Sequence, residues 1–535
     1  MKNRITILAM CFLSYQGYTQ DIVMKQSNEF DSPARHDILA PIQLGEQGIF
    51  QFNVKSGRGK SESVHVVHFN NKLEKLQEKT ITLDDEWMMI SEIPHVVRVK
   101  NKIYFLTRED SKKTEGMSAI EFDPQTLTFS KNKIPLFQSS DKVYNWSFFR
   151  FGQEEADECL VSENNTRIGL IYRLKPESRR EKVNYDIIGM NVFDENMQKV
   201  WTREYKMPYT EAVMDNESYA VTNDGKIYLL AKVNLDKEDR VKGEAKYNYE
   251  LLVYDGQHEQ PDVIKIDLDK IIPSSFNLFE TKTGEMMLSG FYSRLNQTGI
   301  DGAYVLQIDE QGKTLKFKNG GMFEIPTEII KANATARELR KMKRAERKDD
   351  ENDLGVKNLV IRYFTQLDNG DMILMGEEYE VQMRTYTTGV GANATTRTEY
   401  KTFANDIYVI RANKDGTSWV RKIPKYQRSN DAYGRQLSFN AIVSGNDVYV
   451  LYTDNKKNKS LSEKEVPEVH IQGYGGYLAC VKLDQHGTIS KKYLTEIEDF
   501  ETNFYIRRFV QGDHGNIIYT ARKLRRNSII SLEVQ

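Results

Sequence analysis

One pattern constrains this chain above all others: a hairpin-sized unit that recurs along it. In residues 221–257 the turn Asn223-Asp224-Gly225-Lys226 precedes the run Ile227-Tyr228-Leu229-Leu230. A charged loop follows, then Tyr249-Glu250-Leu251-Leu252-Val253-Tyr254 and the turn Asp255-Gly256. Asn-Asp-Gly supplies the positive φ that a tight hairpin needs, and the flanking runs are rich in β-branched and aromatic residues. One unit makes a small antiparallel sheet that cannot bury both faces alone, so copies must stack beside it.

Two turns per repeat, one between strands a and b and one between c and d, mark the copies. The a–b turns are Gly45-Glu46-Gln47-Gly48, Lys100-Asn101-Lys102, residues 154–157, Asn223-Asp224-Gly225, Lys282-Thr283-Gly284, Asp368-Asn369-Gly370-Asp371, Ser444-Gly445-Asn446-Asp447 and Gly512-Asp513-His514-Gly515. The third, before Glu158-Cys159-Leu160-Val161, is the weakest. The eighth repeat stops after three strands, and residues 21–30, with Ile22-Val23-Met24, belong to no repeat. A ring of sheets must close or leave two unpaired edges, so this N-terminal strand is expected to pair with residues 528–534. The expected fold is all-β: a β-propeller of eight four-stranded blades closed by the N-terminal strand, forming one domain over residues 21–535. Seven blades, or two separate β-domains, are the competing arrangements.

One segment breaks the β pattern. Residues 325–353 are poor in turn formers, and Ile329, Ala332, Ala336 and Leu339 recur at helical spacing, with Thr327 placed to cap. A helical insertion over 327–353 is predicted, basic from Arg340 to Lys348 and then acidic at Asp349-Asp350-Glu351. It reads as a solvated helix or as a docking element for an acidic partner or anionic surface.

Formal net charge is −2, so no overall field steers the chain to nucleic acid. Lys2 and Arg4 before the apolar residues 5–13, with a polar exit to Gln20, read as a signal peptide over 1–20. Met10 before Cys11 argues against a lipoprotein. Cleavage would leave Cys159 and Cys480, expected as buried free thiols in different repeats. No later segment approaches the roughly 18 apolar residues of a membrane helix. The expected product is an exported monomer, in the periplasm, at the cell surface or secreted.

Propeller loops alternate between two faces, and here the long ones fall on one. They are 164–183, 234–246, the helical insertion, 378–403, 424–435 and 454–474. Loops on a rigid scaffold carry function, so this face is the expected binding surface. Its candidate ligand contacts are Arg384, Tyr386 and Tyr400, with Arg397, around a Gly389-Val390-Gly391 tip; Tyr426, Arg428, Tyr433 and Arg435 in the next connection; and Tyr474. Tyrosine rings suit sugars and peptides, and arginines suit carboxylates. Catalytic templates mostly fail: no Gly-x-Ser-x-Gly elbow, phosphate-binding glycine loop or Cys-x-x-Cys occurs. His65 and His68, three apart on a strand, point to opposite faces and cannot chelate one metal. Asp309, Asp415 and Asp484 read as turn formers rather than calcium ligands. No cofactor and no metal is expected.

Leu367-Asp368-Asn369-Gly370, Gly376-Glu377-Glu378-Tyr379 and Trp419-Val420-Arg421-Lys422-Ile423-Pro424-Lys425, with the charged helix before them, resemble a family of exported propeller-repeat proteins of Gram-negative bacteria. The resemblance is best over residues 325–436. It implies a fold and a compartment, and it transfers no reaction and no catalytic residue. The function expected is a non-catalytic binding or scaffold module for a glycan, a peptide or an envelope protein. The alternative is a carbohydrate-active hydrolase or lyase with its site at the central channel mouth.

Overall fold

The computed structural model describes residues 22–535, except 56–62, 83–94, 111–113, 142, 144–158, 177–179, 237–245, 267, 269–270, 295–298, 310–313, 318, 348–354, 389–394, 417, 435, 462–464, 501–503 and 524–525. The predicted signal segment, the expected turn at 154–157, the Gly389-Val390-Gly391 tip and Arg435 lie outside the described residues.

The chain is all-β, as the repeats predict, and forms eight sheets of four to six strands that follow one another along the sequence. Counts above four arise mostly because edge strands are broken. In the fifth sheet, Ile271–Pro273 and Asn277–Glu280 both pair with Met286–Arg294, and Thr314–Lys316 and Met322–Glu324 both pair with Gly302–Ile308. The eighth sheet joins the two ends of the chain. Ile22–Gln26 runs antiparallel to Arg526–Val534, with Ile22 opposite Val534 and Gln26 opposite Ile530. The edge left by the three-stranded last repeat is therefore filled from the N-terminal side.

Each sheet is apolar on both faces and buries them against its neighbours. Phe52 of the first sheet packs edge-on against Phe105 and Phe122 of the second, with centroids 5.2 and 5.0 Å away. Equivalent clusters join second to third, third to fourth, and onward to seventh and eighth. A last cluster carries Phe30, Ile518 and Ile529 of the eighth sheet onto Ile49 and Phe69 of the first, so the circuit of packing returns to its start. Much of the tyrosine content is consumed here: Tyr104, Tyr254, Tyr304, Tyr408, Tyr449 and Tyr452 are fully buried.

The short turns are built as expected. Gly225 and Gly370 adopt φ of 90° and 85°, and Asp484 accepts from the amides of His486 and Thr488 at 2.8 Å, a turn-forming role. Turns of successive sheets also interlock: Asn164 N–H donates to Asn223 Oδ1, and Asn223 N–H to Glu280 Oε2. Cys480, in the seventh sheet, is buried as expected, Cys159, in the third, is only half-buried, and no disulfide joins them.

Three expectations change. In the third repeat, Cys159–Val161 is the first strand rather than the second. The true hairpin turn is Ser162–Thr166, where the Asn164 side chain accepts from Thr166 N–H and Asn165 takes φ of 55°; residues 167–173, assigned to a loop, form the second strand. The helical insertion is two helices, Thr327–Lys331 and Ala336–Arg347, because Asn333 enters the left-handed region at φ 55°. Thr327 makes no cap. Thr335 caps the second helix in a reciprocal box: Glu338 N–H donates to Thr335 Oγ1, and Thr335 N–H to Glu338 Oε2. Finally, 378–388 and 395–403, expected in a loop, are strand, as the site shows.

Candidate functional site

The sixth sheet is built differently from the rest. Its two middle strands, Met372–Thr388 and Thr395–Ala412, overrun it and stay paired from Met372–Ala412 out to Thr388–Thr395. The β-branched runs at 381–388 and 395–402 favour this extended form, so the presumed long loop is a two-stranded arm. At its base, Gln427–Ser429 pairs with Thr402–Ala404, and His470–Ile471 then adds in parallel to Gln427–Arg428. Three connections far apart in sequence thus form one continuous sheet.

Strand alternation sorts the predicted residues. Arg384, Tyr386 and Arg397 share one face of the arm, where Tyr386 Oη donates to Glu399 Oε1 at 2.7 Å. Tyr400 lies on the opposite face beside Met383, with Val381 further along; their exposures are 37, 65 and 44%. Tyr426 stacks on Phe403 at 6.5 Å, and Arg428 is half-buried within the sheet, so both are held at the arm's base. Tyr433 and Tyr474 are 56 and 63% exposed in adjoining turns, and Tyr379 Oη donates to the carbonyl of Tyr433.

Beneath the arm lies an ionic network that sequence reasoning did not identify as a site. Glu377 and Lys425 are both fully buried, with Nζ 2.8 Å from Oε1. Arg362 Nε reaches Glu377 Oε2 at 3.1 Å, and Ser438 Oγ donates to the same oxygen at 2.8 Å. Burial pushes the Glu377 carboxyl up, but the charges of Lys425 and Arg362 and the bonds from Lys425 and Ser438 outweigh it and hold it ionised. Ser438 adopts φ of 88°, a strained conformation for a residue with a Cβ, and donates its N–H to Gln427 Oε1 at 2.7 Å. Alongside, Lys422 Nζ lies 2.8 Å from Asp406 Oδ2 and donates to the carbonyls of Ala332 and Ile330, fastening the first helix to the sheet. Burial, then the charge of Asp406, push the Glu378 carboxyl up. Above the network, the guanidiniums of Arg362 and Arg507 lie 4.6 and 5.0 Å from the centroid of the Tyr379 ring. The signal was present in the Glu377-Glu378 and Lys422–Lys425 motifs, but strand spacing alone does not reveal that they face each other.

A second feature lies at the long-connection end of the third sheet. Asp186 falls where the register between Tyr185–Asp194 and Lys199–Thr210 shifts, a bulge that re-aims its side chain. Arg173 Nε donates to Asp186 Oδ1 at 2.7 Å and Nη2 to Glu211 Oε1 at 2.6 Å. Burial, and then hydrogen bonding with Glu211, push the Asp186 carboxyl up to about 6. Lys175, Tyr185, Asp186 and Lys206 line a pocket of about 130 Å³ here.

No family model and no curated protein matches the chain. Among solved structures it is similar to the β-propeller domain of the Trilobed protease from Pyrococcus furiosus, at 10% identity and TM-score 0.34, over 86% of this chain and 98% of that one. It is also similar to polysaccharide lyase Uly1, at 10% identity and TM-score 0.36, over 95 and 99%. A third is an α-L-arabinanase from Penicillium chrysogenum, at 11% identity and TM-score 0.29, over 75 and 97%. Likeness at this level transfers no activity and no residue. No helix among the described residues is long and apolar enough to cross a membrane.

Proposed function

We propose that the eight sheets are the blades of a closed β-propeller that serves as an exported binding module, with its contact surface on the arm of the sixth blade and the turns around the arm's base. The observation that carries this reading is the arm itself. Two strands leave the body of the sheet and present Arg384, Tyr386 and Arg397 on one face and Val381, Met383 and Tyr400 on the other, while Tyr433 and Tyr474 stand exposed in adjoining turns. Exposed aromatic and arginine side chains on a rigid scaffold suit a glycan, a peptide or an envelope protein. Within the buried network, Glu377 is engaged by Lys425 and Arg362 and Asp406 by Lys422, so these two carboxylates hold the base of the arm.

The test is a glycan and peptide array probed with the mature chain and with an Arg384→Ala/Tyr386→Ala/Tyr474→Ala variant. The three side chains are exposed or on the arm, so the melting temperature should hold while binding to every hit falls at least ten-fold. Hits that bind the variant equally well would refute the assignment. Export is tested by sequencing the N-terminus of the chain recovered from the periplasm; an intact Met1 there would oppose it.

A further inference from the structure

The pocket of the third sheet lies outside the surface assigned above, and its chemistry is specific. Two lysines and one carboxyl line it: Lys175, Lys206 and Asp186. Behind Asp186, the Arg173–Glu211 pair cancels in charge, so the lining carries a formal charge of two minus one, a single positive charge, while Asp186 is ionised. The Lys206 ammonium sits 4.5 Å over the Tyr185 ring, which holds it at the rim rather than leaving it to sweep through solvent. Asn184 is spent inward, its Nδ2 donating to Glu211 at 2.5 Å. The remaining walls are apolar: Leu174, Pro176, Val183 and Ile187. Val183 stands at the rim, 64% exposed.

We propose that this pocket binds a small organic monocarboxylate, the anion against Lys175 and Lys206 and the apolar body against Leu174, Pro176, Val183 and Ile187. One negative charge matches the lining; a dianion would leave a surplus charge beside Asp186, so carboxylate is favoured over phosphate. The cavity, with room for several waters, admits a single ring or short chain. Arg173 holds the Asp186 carboxylate at the bulge, so Asp186 is committed to that guanidinium.

The probes are benzoate, its neutral isostere benzamide and inorganic phosphate, titrated into the full mature chain and followed by NMR and calorimetry. Benzoate should bind with a Kd in the millimolar range or tighter, and benzamide and phosphate at least five-fold more weakly. Lys206→Met and Lys175→Met keep the apolar stems and remove the charges; each should weaken benzoate at least five-fold with an unchanged melting temperature. Arg384→Ala, on the arm, should leave benzoate unaffected, which separates this site from the contact surface proposed above. Benzamide or phosphate binding as well as benzoate, lysine variants binding normally, or no benzoate binding up to about 50 mM would overturn the proposal.

Discussion

The Lys425→Met substitution tests the buried network directly. Lys425 and Glu377 are both fully buried and 2.8 Å apart. Removing one partner of such a pair leaves an uncompensated charge in a low-dielectric interior, at a cost of about 3–5 kcal/mol. Methionine fills a similar volume, so little of the loss would come from a cavity. Arg362 and Ser438 still hold Glu377, which places the expectation near the lower end, about 3 kcal/mol. Unfolding entropy of roughly 2.1 cal/mol/K per residue, over 535 residues, gives about 1.1 kcal/mol/K, so the melting temperature should fall by about 3 °C in a cooperative transition. Adding Glu377→Gln removes the stranded charge yet keeps acceptors for Arg362 and Ser438, and should restore at least half of the loss. Scanning calorimetry of the parent, the two single variants and the double variant decides the matter. A single variant within about 1 °C of the parent, or a double variant falling by the sum of its parts, would refute the claim that this pair is a coupled, desolvated unit.

Deleting residues 22–31 should leave Arg526–Val534 with an unpaired edge, and light scattering should then report aggregation at temperatures where the parent stays monodisperse. Thr335→Ala removes the reciprocal cap, worth about 1 kcal/mol, and should speed hydrogen exchange of the amides at 336–339 about five-fold while leaving the sheets protected. The Asp186 carboxyl should titrate by carbon NMR with a midpoint of about 6, and Arg173→Ala should raise that midpoint further; a midpoint near 4 would contradict the burial and the Glu211 hydrogen bonding described. Its folded value lies above the ordinary carboxylate value of about 3.9, so this group binds more proton in the folded state between those limits, and its contribution to stability is lost as pH rises through about 6.

The strands were legible because alternation and turn chemistry are local. Asn223-Asp224-Gly225 and Asp368-Asn369-Gly370 need positive φ wherever they occur, and the runs beside them pair across the turn. The third repeat is ambiguous in sequence because more than one stretch there carries turn residues; the hairpin turn at 162–166 is set by Asn164 bonding to Thr166, which spacing does not show. In sequence the arm looks like a loop because its threonines and charges look solvated, and an exposed ribbon is solvated on both faces.

The order of eight sheets and the meeting of the chain's two ends followed from the sequence alone, since an unfinished last repeat and an unassigned first strand leave one another as partners. Which side chains converge was decided only by tertiary structure. Glu377 meets Lys425, Lys422 meets Ala332, and Asp186 meets Glu211 across connections whose lengths carry no information about where they return. Pairing within a hairpin is a property of neighbouring residues, whereas a buried charge is tolerated only where the whole packed surround supplies its partner.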